Sequence, residues 1–372
     1  MSDLGPRIRD MAQSLGFDLV GFAPLRAPKD AQHFFDWLDK GYHADMDWIE
    51  RSRDRIGDPQ RIQPDGLTIL AVGMGHARPE VSLQGGGRVA RYAAGRDYHN
   101  LMIKRLRRLS RELQREGLTG RSRAIVDAGP LLERSHAAEA GLGFASKAAN
   151  LLHPTFGPWF FLGELLLDVE VESVAQPPAG SCGTCTACID ACPTAAIVAP
   201  GEIDAGRCIS YQTIENRAAI PHELRAAHGE WVFGCDVCSE VCPWGHKAPD
   251  SSQHWGTHEA LATGTLERWL SWSEPEFQEA LIGSPLKRPK RAGLARNAAI
   301  VLGNLPDDQG TGALAEALEV DASPVVRASA FWALLQGEEA KPRVQALLER
   351  ALGAESDALA VRDMRQSLEN KG

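Results

Sequence analysis

The position of the cysteines constrains this chain more than any other sequence feature. All eight lie within about sixty consecutive residues, and the rest of the 372-residue sequence contains none. Four fall in the stretch CGTCTACIDACP (182–193), where two, two and three residues separate them and a proline follows the last. In a chain expected to stay reduced, thiols this close together favour metal binding over disulfide bonds. The sequence therefore predicts a metal-binding segment.

The spacing of the first four cysteines is that of a bacterial-type ferredoxin. In that pattern three thiolates hold one [4Fe–4S] cluster and the fourth reaches a second cluster. A second Cys-x-x-Cys pair, a second Cys-Pro step and one isolated cysteine complete two sets of four. We predict one cluster on Cys182, Cys185, Cys188 and Cys242, and the other on Cys192, Cys208, Cys235 and Cys238. Two zinc knuckles are the alternative, although neither Cys-Pro step has a role in a zinc ribbon.

The region before the cysteines predicts alternating helices and strands. Apolar residues with helical spacing, followed by the helix-ending Gly16, indicate an N-terminal helix; they are Leu4, Ile8, Met11 and Leu15. Strands are predicted at 18–24, 67–74, 122–127 and 160–171, and further helices after Asp97 and over 131–140. This pattern is typical of an α/β or α+β domain, which we place at residues 1–175. The stretch AQPPAG (175–180) is typical of a linker.

Two further domains are predicted after this linker. Residues 176–250 form the ferredoxin-like two-cluster iron–sulfur domain, with an insertion between Cys208 and Cys235. Residues 251–372 are rich in alanine and leucine and predict an all-helical domain. The stretches that begin at Arg296 and Arg327 match at a period of 31 residues. A period of this length favours stacked helical repeats of the HEAT type.

Composition and charge limit the classes of function. With 44% hydrophobic and 24% charged residues, the chain can bury a sizeable core. The N-terminus lacks the apolar core of a signal peptide, and no stretch has the roughly eighteen apolar residues of a spanning helix. We therefore expect a cytoplasmic monomer with no membrane partner. The net charge of −9 argues weakly against nucleic acid as a partner, but it does not exclude a local basic face.

Several longer stretches carry a more specific signal. They are RYAAGRDYHN (91–100), VDAGPLLERSHAAEAGLGF (126–144), FGPWFFLGELLLDVEV (156–171), RCISYQTIE (207–215) and GCDVCSEVCPW (234–244). In these stretches the sequence resembles the epoxyqueuosine reductase family, over most of residues 1–250. The resemblance implies an oxidoreductase of tRNA modification that reduces epoxyqueuosine to queuosine in the anticodon loop. It also implies a cobalamin-binding first domain, two [4Fe–4S] clusters and an electron donor that the sequence does not identify.

Two aspartates are the candidate acid groups for this reaction. Asp127 ends the apolar strand SRAIVD, and the proton donor of the family maps onto it. Burial at a strand end is expected to raise its pKa and keep a proton available. The competing interpretation is that Asp127 caps the next helix. Asp97 is the second carboxylate expected near the cofactor, with helix capping again as the alternative, and Glu133 is expected to be structural.

The resemblance also suggests cobalamin contacts. By position they are Leu151, Leu152, His153, Ser210 and Asp236. The family usually has Gly-Lys before this first loop, whereas this chain has Ser146-Lys147-Ala148. The Asp-x-His-x-x-Gly motif of a histidine-ligated corrinoid lacks its glycine at Asp97–Met102, so we expect no protein histidine on cobalt.

Two basic segments are candidate tRNA surfaces. SPLKRPKRAGLAR (284–296) contains no acidic residue, and we predict phosphate contacts from Lys287, Arg288, Lys290, Arg291 and Arg296. A solvated helix entry is the competing interpretation. The helix after Asp97 is also basic and is the second candidate, with plain solvent-exposed surface as its alternative.

Two other functions are compatible with the cysteines. A reductive dehalogenase combines a cobalamin domain with a two-cluster ferredoxin, but such enzymes are usually exported and lack helical repeats. A non-catalytic iron–sulfur electron carrier would bind clusters without a corrinoid. A spectrum of protein purified after cobalamin supplementation distinguishes the carrier from either reductase.

Overall fold

The computed structural model describes residues 4–172, 180–306, 310–337 and 342–371. The chain forms two compact units, each assembled from three stretches. The sheet unit contains residues 1–78, 97–206 and 237–255, and the helical unit contains residues 79–96, 207–236 and 256–372. The predicted boundary at 175, and the linker AQPPAG apart from its last glycine, lie outside the described residues. The three-domain division stays a prediction.

Strands and helices alternate up to residue 240, and the regular elements described after that residue are helices. The strands are β1 (Leu19–Pro24), β2 (Thr68–Gly75), β3 (Val81–Ser82), β4 (Arg88–Val89), β5 (Ser122–Ile125), β6 (Phe144–Ala145), β7 (Leu151–Leu152), β8 (Phe160–Leu167), β9 (Ile197–Ala199), β10 (Glu202–Ile203) and β11 (Trp231–Phe233). The helices up to residue 240 are α1 (Leu4–Ser14), α2 (Ala31–Asp39), α3 (Asp47–Glu50), α4 (Arg53–Gly57), α5 (Tyr98–Arg115), α6 (Glu133–Glu139), α7 (Ala187–Ala191), α8 (Ile209–Ile214), α9 (His222–Arg225) and α10 (Val237–Glu240). The later helices are α11 (Ser252–Trp255), α12 (Glu259–Ala262), α13 (Leu266–Ser271), α14 (Glu274–Ala280), α15 (Lys290–Asn304), α16 (Thr311–Val320), α17 (Pro324–Gln336), α18 (Pro342–Ala354) and α19 (Ala358–Glu369). This mixed helix and sheet content agrees with the predicted fold class.

A four-stranded antiparallel sheet in the order β1-β2-β8-β5 is the core of the sheet unit. Every residue of β2 is buried, because β2 lies between two strands and beneath helices. Successive side chains of a strand point to opposite faces. In β8, the backbone at Gly163 lies against Met102 and Leu106 of α5, whereas the next residue, Glu164, contacts Glu133 at the start of α6. The two helices therefore cover opposite faces.

Helix α5 forms as its sequence predicts. Its four apolar residues with helical spacing are fully buried; they are Met102, Leu106, Leu109 and Leu113. Asp97 is the N-cap, and its carboxylate accepts a hydrogen bond from the backbone N–H of His99. This cap fixes the point where the chain turns into the helix and therefore fixes Tyr98 and His99, the first two helical residues.

Stacked helices form the end of the helical unit. Helices α15, α17 and α19 pack in succession, α16 packs on α17, and α18 packs on α19. Bidentate ion pairs recur at corresponding places, Arg291 with Asp321 and Arg327 with Glu355. None of the described helices has the length and apolarity that crossing a membrane requires.

Candidate active site

A cavity of about 910 Å³ lies within the sheet unit. Its lining includes Tyr98, Asp127, Glu133, Ser146, Leu151 and Cys182. Small-molecule sites typically have volumes of about 300 to 1,000 Å³, so this cavity accommodates a large ligand. The cavity brings a predicted acid group, Asp127, and a predicted cluster ligand, Cys182, to the same space.

Asp127 lies on the loop between β5 and α6, in a left-handed backbone conformation with φ of 57°. Its side chain is 61% exposed because it faces the cavity. The backbone N–H of Asp127 donates to Oε1 of Glu133 at 2.7 Å. Helix α6 has Leu132 at its N-cap and no side-chain cap. Asp127 therefore does not cap this helix, which removes the competing interpretation of this residue.

Two residues from the first turn of α5 bind the carboxylate of Asp127. The hydroxyl of Tyr98 donates to Oδ2 at 2.9 Å, and Nε2 of His99 lies 2.9 Å from the same oxygen. The other ring nitrogen of His99 lies 2.7 Å from Oδ1 of Asp97. Asp97 thus has the helix-capping role that the sequence offered as the alternative, and it also orients His99. It acts on Asp127 through His99. Its position near the cofactor stays a prediction.

These contacts decide where the proton resides. Partial burial opposes a charge on His99, but hydrogen bonds to Asp127 and Asp97 raise its pKa to about 9. The surrounding protein opposes ionisation of Asp127, but the hydrogen bond and charge of His99 and the hydroxyl of Tyr98 lower its pKa. The expectation that the pKa of Asp127 is raised overall is therefore wrong, because His99 and Tyr98 outweigh the effect of burial. At neutral pH the pair holds one proton, centred on His99.

Tyr98 and His99 were missed as site residues by the sequence analysis. The ring of Tyr98 stacks on Phe161 of β8 with the centroids 4.1 Å apart and the planes at 8°. It also stacks on His99 with the centroids 4.0 Å apart. The available signal was the triplet Asp-Tyr-His at a helix start, which was considered only as part of a corrinoid motif. Read as a cap followed by two polar rings, it indicates two polar side chains at a fixed helix start, but not the strand end that they meet.

The four predicted ligands of the first cluster lie together. Cys182, Cys185, Cys188 and Cys242 line one smaller cavity of about 50 Å³ in the sheet unit, and Cys238, a predicted ligand of the second cluster, also lines it. Burial and the charge of Cys182 raise the pKa of Cys188. The backbone N–H of Lys147 donates to Sγ of Cys182 at 3.5 Å, a contact of the kind that stabilises cluster sulfurs.

The ligands predicted for the second cluster are divided between the units. Cys192 and Cys238 belong to the sheet unit, and Cys208 and Cys235 belong to the helical unit. Sγ of Cys192 accepts a hydrogen bond from the backbone N–H of Ala196 at 3.2 Å. The grouping of these four thiols stays a prediction.

The loop at residues 146–150 connects the two cavities. Ser146, Asn150 and Cys182 line both of them. Nζ of Lys147 donates to the carbonyls of Gly183 at 2.8 Å and Cys185 at 2.9 Å, which ties the loop to the cysteine run. The hydroxyl of Ser146 accepts from two later N–H groups of the loop. The serine that replaces the usual glycine therefore holds the loop by its side chain.

The five predicted cobalamin contacts occupy different places. Leu151 lines the large cavity and Leu152 the smaller one. His153 is absent from the described lining of both, and its Nδ1 accepts from the N–H of Thr155 at 3.0 Å. Ser210 and Asp236 belong to the helical unit, where the carboxylate of Asp236 accepts from the N–H of Arg91 at 2.7 Å. Of the five, Leu151 therefore has the most direct structural support.

Comparison with known proteins agrees with this site. The family model "Epoxyqueuosine reductase QueG, DUF1730" matches residues 57–128, and "4Fe-4S double cluster binding domain" matches residues 181–245. Epoxyqueuosine reductase of Xanthomonas campestris is 39% identical over 343 residues, which cover 90% of this chain and 96% of that protein. The chain belongs to the epoxyqueuosine reductase family. The Escherichia coli member is 37% identical over 316 residues, 83% of each chain.

Solved structures of the family have the same fold. Epoxyqueuosine reductase with an epoxyqueuosine-modified tRNA-Tyr stem loop matches with a TM-score of 0.87 and 27% identity, over 99% of this chain and 98% of that chain. The Bacillus subtilis epoxyqueuosine reductase matches with a TM-score of 0.85 and 27% identity, over 99% of each chain. In that structure the catalytic loop that carries an aspartate is swung out of the active site.

The family uses cobalamin and two [4Fe–4S] clusters, and the residues of this chain fit them. The sequence supplies eight thiols, enough for two clusters, and the four predicted ligands of the first cluster line one small cavity. The large cavity would hold the corrinoid between Leu151 and Asp127, with Cys182 in its lining. The absence of a protein histidine on cobalt stays a prediction.

The basic segment 284–296 is more involved in packing than its sequence suggests. Arg296 is fully buried, and its guanidinium donates to the backbone carbonyls of Gln212, Asn216 and Ala218. The prediction that Arg296 contacts RNA is therefore wrong, because the side chain is used to hold the segment that follows Cys208. The other four residues are also mostly engaged: Arg291 binds Asp321, Arg288 binds Glu215, Lys287 binds the carbonyl of Gln278, and Lys290 is exposed.

Proposed function

We propose that this protein reduces epoxyqueuosine in the anticodon loop of tRNA to queuosine. The observation that carries this function is the large cavity, because it places the Asp127–His99 pair and the cluster ligand Cys182 around one ligand-sized space. Conversion of an epoxide into an alkene and water requires two electrons and two protons. The cysteines account for the electron supply and the Asp127 pair for a proton.

Each [4Fe–4S] cluster transfers one electron at a time, so two electrons must be collected before the epoxide opens. Bound cobalamin supplies a strongly nucleophilic, two-electron-reduced centre for this purpose. The loop at 146–150 keeps Cys182 in the lining of the corrinoid cavity. This short connection supports electron transfer from the first cluster into the cavity.

The chain's own contribution to the chemistry is the placement of a proton. Asp127 faces the cavity and contacts the substrate oxygen, while His99 lies behind it and supplies the proton that Asp127 passes on. Tyr98 and Asp97 hold these two groups in line. Positioned proton transfer typically contributes about 10² to 10⁴ in rate. The mobile catalytic loop of the Bacillus subtilis protein supports this assignment, since Asp127 also lies on a loop at the site.

The finer architecture and the partners are part of this proposal. The sheet unit is the cobalamin-binding domain, and the recurring Arg–acid pairs support a HEAT-like repeat over α15–α19. The partners are tRNA carrying epoxyqueuosine and an electron donor that the residues do not identify. The protein acts as a monomer in the cytoplasm, where tRNA is modified.

Two surfaces are candidates for tRNA contact. On α5 a stripe of exposed cations recurs at intervals of three or four residues; we call Lys104, Arg107, Arg111 and Arg115 the α5 stripe. These residues have no acidic partner in the part of the chain that the structure describes. The helix begins at Tyr98 in the active site, so the stripe extends away from the reacting groups. Lys287, Arg288, Lys290 and Arg291 remain the candidates in the helical unit.

Single-turnover reduction tests the function. Anaerobically reconstituted protein with cobalamin, chemical reductant and epoxyqueuosine-containing tRNA should release a nucleoside that has lost one oxygen atom. Asp127→Asn keeps the size and much of the hydrogen bonding of the side chain but cannot take a proton from His99 and pass it on. We expect this variant to retain cobalamin, clusters and tRNA binding and to lose at least about 10² in rate. Near wild-type turnover by Asp127→Asn would reject the proton-donor assignment.

A further inference from the structure

Glu164 is an unusual residue for the centre of a sheet. It lies in β8, paired with Ala71 of β2 and Ile125 of β5, and it is fully buried. Neither of its carboxyl oxygens accepts a hydrogen bond from a donor group within the described ranges. Instead the carboxyl lies against that of Glu133, at the first turn of α6. A buried carboxylate without a donor is strongly unfavourable, so this contact needs an explanation.

Sharing a proton is the simplest way to make the contact favourable. A protonated carboxyl donates one hydrogen bond to a neighbouring carboxylate, and the pair then buries one charge instead of two. Burial and the charge of Glu133 raise the pKa of Glu164 well above its usual range. Burial also raises the pKa of Glu133 to about 7. The other charged groups that face the pair are Asp127 and Arg134, and the strand neighbours Ala71 and Ile125 are apolar.

Glu133 also connects this pair to the active site. Its Oε1 accepts the backbone N–H of Asp127 at 2.7 Å. Asp127 has a left-handed conformation, which is unfavourable for a non-glycine residue unless its surroundings hold it. The hydrogen bond to Glu133 is therefore one of the contacts that keep the loop in this conformation.

We propose that Glu133 and Glu164 form a proton-sharing carboxyl pair that holds the Asp127 loop in its working position. Both are positioning residues, since they act through Asp127 rather than on the substrate. The proton on Glu164 keeps the Glu133 carboxylate in place, and this carboxylate holds the N–H of Asp127. The proposal depends on the role given to Asp127 above, but the shared proton is measurable without any turnover.

The first test is the infrared C=O stretch of a protonated carboxyl group at pH 7. Wild-type protein should show this band, and Glu164→Gln should lose it, because an amide then donates to Glu133. Asp127→Asn should keep the band. Glu202→Gln is the matched control, since Glu202 is also buried but is ion-paired with Lys40, and it should change nothing. Absence of the band from wild-type protein, or its persistence in Glu164→Gln, overturns proton sharing.

The second test is single-turnover reduction by variants with unchanged cobalamin and cluster content. Glu164→Gln preserves a donor to Glu133 and should stay within about threefold of wild type, whereas Glu164→Met removes the donor and should be roughly tenfold slower or more. The affinity for tRNA should not change in either. If Glu164→Met does not fold, Glu133→Gln, which keeps an acceptor for the N–H of Asp127, and Glu133→Ala, which does not, give the corresponding contrast at the start of α6. Equal rates for the donor-keeping and donor-lacking variants overturn the positioning role.

The two tests also separate this inference from the proposed function. If the band behaves as expected but wild-type protein does not reduce epoxyqueuosine, the carboxyl pair stands and the function fails. If wild-type protein reduces epoxyqueuosine without the band, the function stands and the pair fails.

Discussion

Glu164 of the sheet unit and Arg296 of the helical unit are both completely buried, and the protein treats the two charged groups in opposite ways. Arg296 of the helical unit donates to three backbone carbonyls and to the side chain of Asn297. Glu164 of the sheet unit has no donor to either oxygen among the described residues and lies against a second carboxyl. Burial alone therefore does not distinguish Arg296 from Glu164, whereas the number of hydrogen bonds that each side chain makes does.

The difference separates a structural role from a functional one. A buried charge whose hydrogen bonds are satisfied stabilises one arrangement of the chain, and for Arg296 this is the segment after Cys208. A buried carboxyl without donors keeps its place by holding a proton, and perturbed carboxyls of this kind cluster at functional sites. The Asp127 site lies one hydrogen bond from Glu133, which is consistent with this rule.

The largest effect on stability is expected from Arg296→Met. This change keeps most of the buried volume but leaves three carbonyls without a donor, at about 1 to 3 kcal/mol each. We expect the free energy of unfolding, measured with urea, to fall by about 3 kcal/mol or more. Arg365→Met, at an exposed position of α19, should stay within about 0.5 kcal/mol. A stable Arg296→Met variant would show that these carbonyls find other donors.

The next largest effect is expected from His99→Gln, which removes the proton held behind Asp127. Single-turnover reduction at pH 7 should slow by about tenfold to a hundredfold. Tyr98→Phe removes one neutral hydrogen bond to the same carboxylate and should cost less.

The contribution of His99 to the reduction rate should depend on pH in one direction. The pKa of His99 is raised to about 9 in the folded protein, so the ring is protonated at neutral pH and loses its proton as the pH rises through about 9. The ion pair between His99 and Asp127 contributes stability that is fully present below the usual histidine pKa of about 6.5. This contribution is lost as the pH rises through the folded-state pKa of about 9. Wild-type reduction should therefore decline near pH 9, and His99→Gln should lack this decline. The same alkaline decline in both proteins would assign it to another group.

Local patterns in the sequence predicted much of this structure. The four apolar residues of α5 are all buried, and the position of Asp127 near the end of β5 followed from an apolar strand that ends in a carboxylate. The lowered pKa of Asp127 did not follow, because its partner His99 comes from another element. The lone glutamate in FFLGELLL was visible in the sequence, but its partner Glu133 was not. Pairings between distant segments were thus the part that local patterns could not supply.

The same limit explains the basic segment 284–296. A run of lysines and arginines indicates positive charge, but it does not show how many of those charges the fold already uses. Three of the four remaining candidates bind an acid or a carbonyl, whereas the α5 stripe is exposed along one helix face. We therefore expect the stripe to make the larger contribution to tRNA affinity.

The smallest expected effect, and the most direct comparison, is the salt dependence of tRNA binding by two fourfold variants. In a plot of the logarithm of the binding constant against the logarithm of the salt concentration, each lost phosphate contact reduces the steepness of the slope by roughly 0.9. Neutralising Lys104, Arg107, Arg111 and Arg115 with glutamine should therefore lower the slope by about 3 to 4. The same change at Lys287, Arg288, Lys290 and Arg291 should lower it by about 1, because Lys290 alone lacks a partner among the described residues of that segment. Neither variant changes a group that contacts Asp127, so the rate at saturating tRNA should be preserved. The reverse order of slopes would place the tRNA backbone on the helical unit and leave the α5 stripe as ordinary solvent-exposed surface.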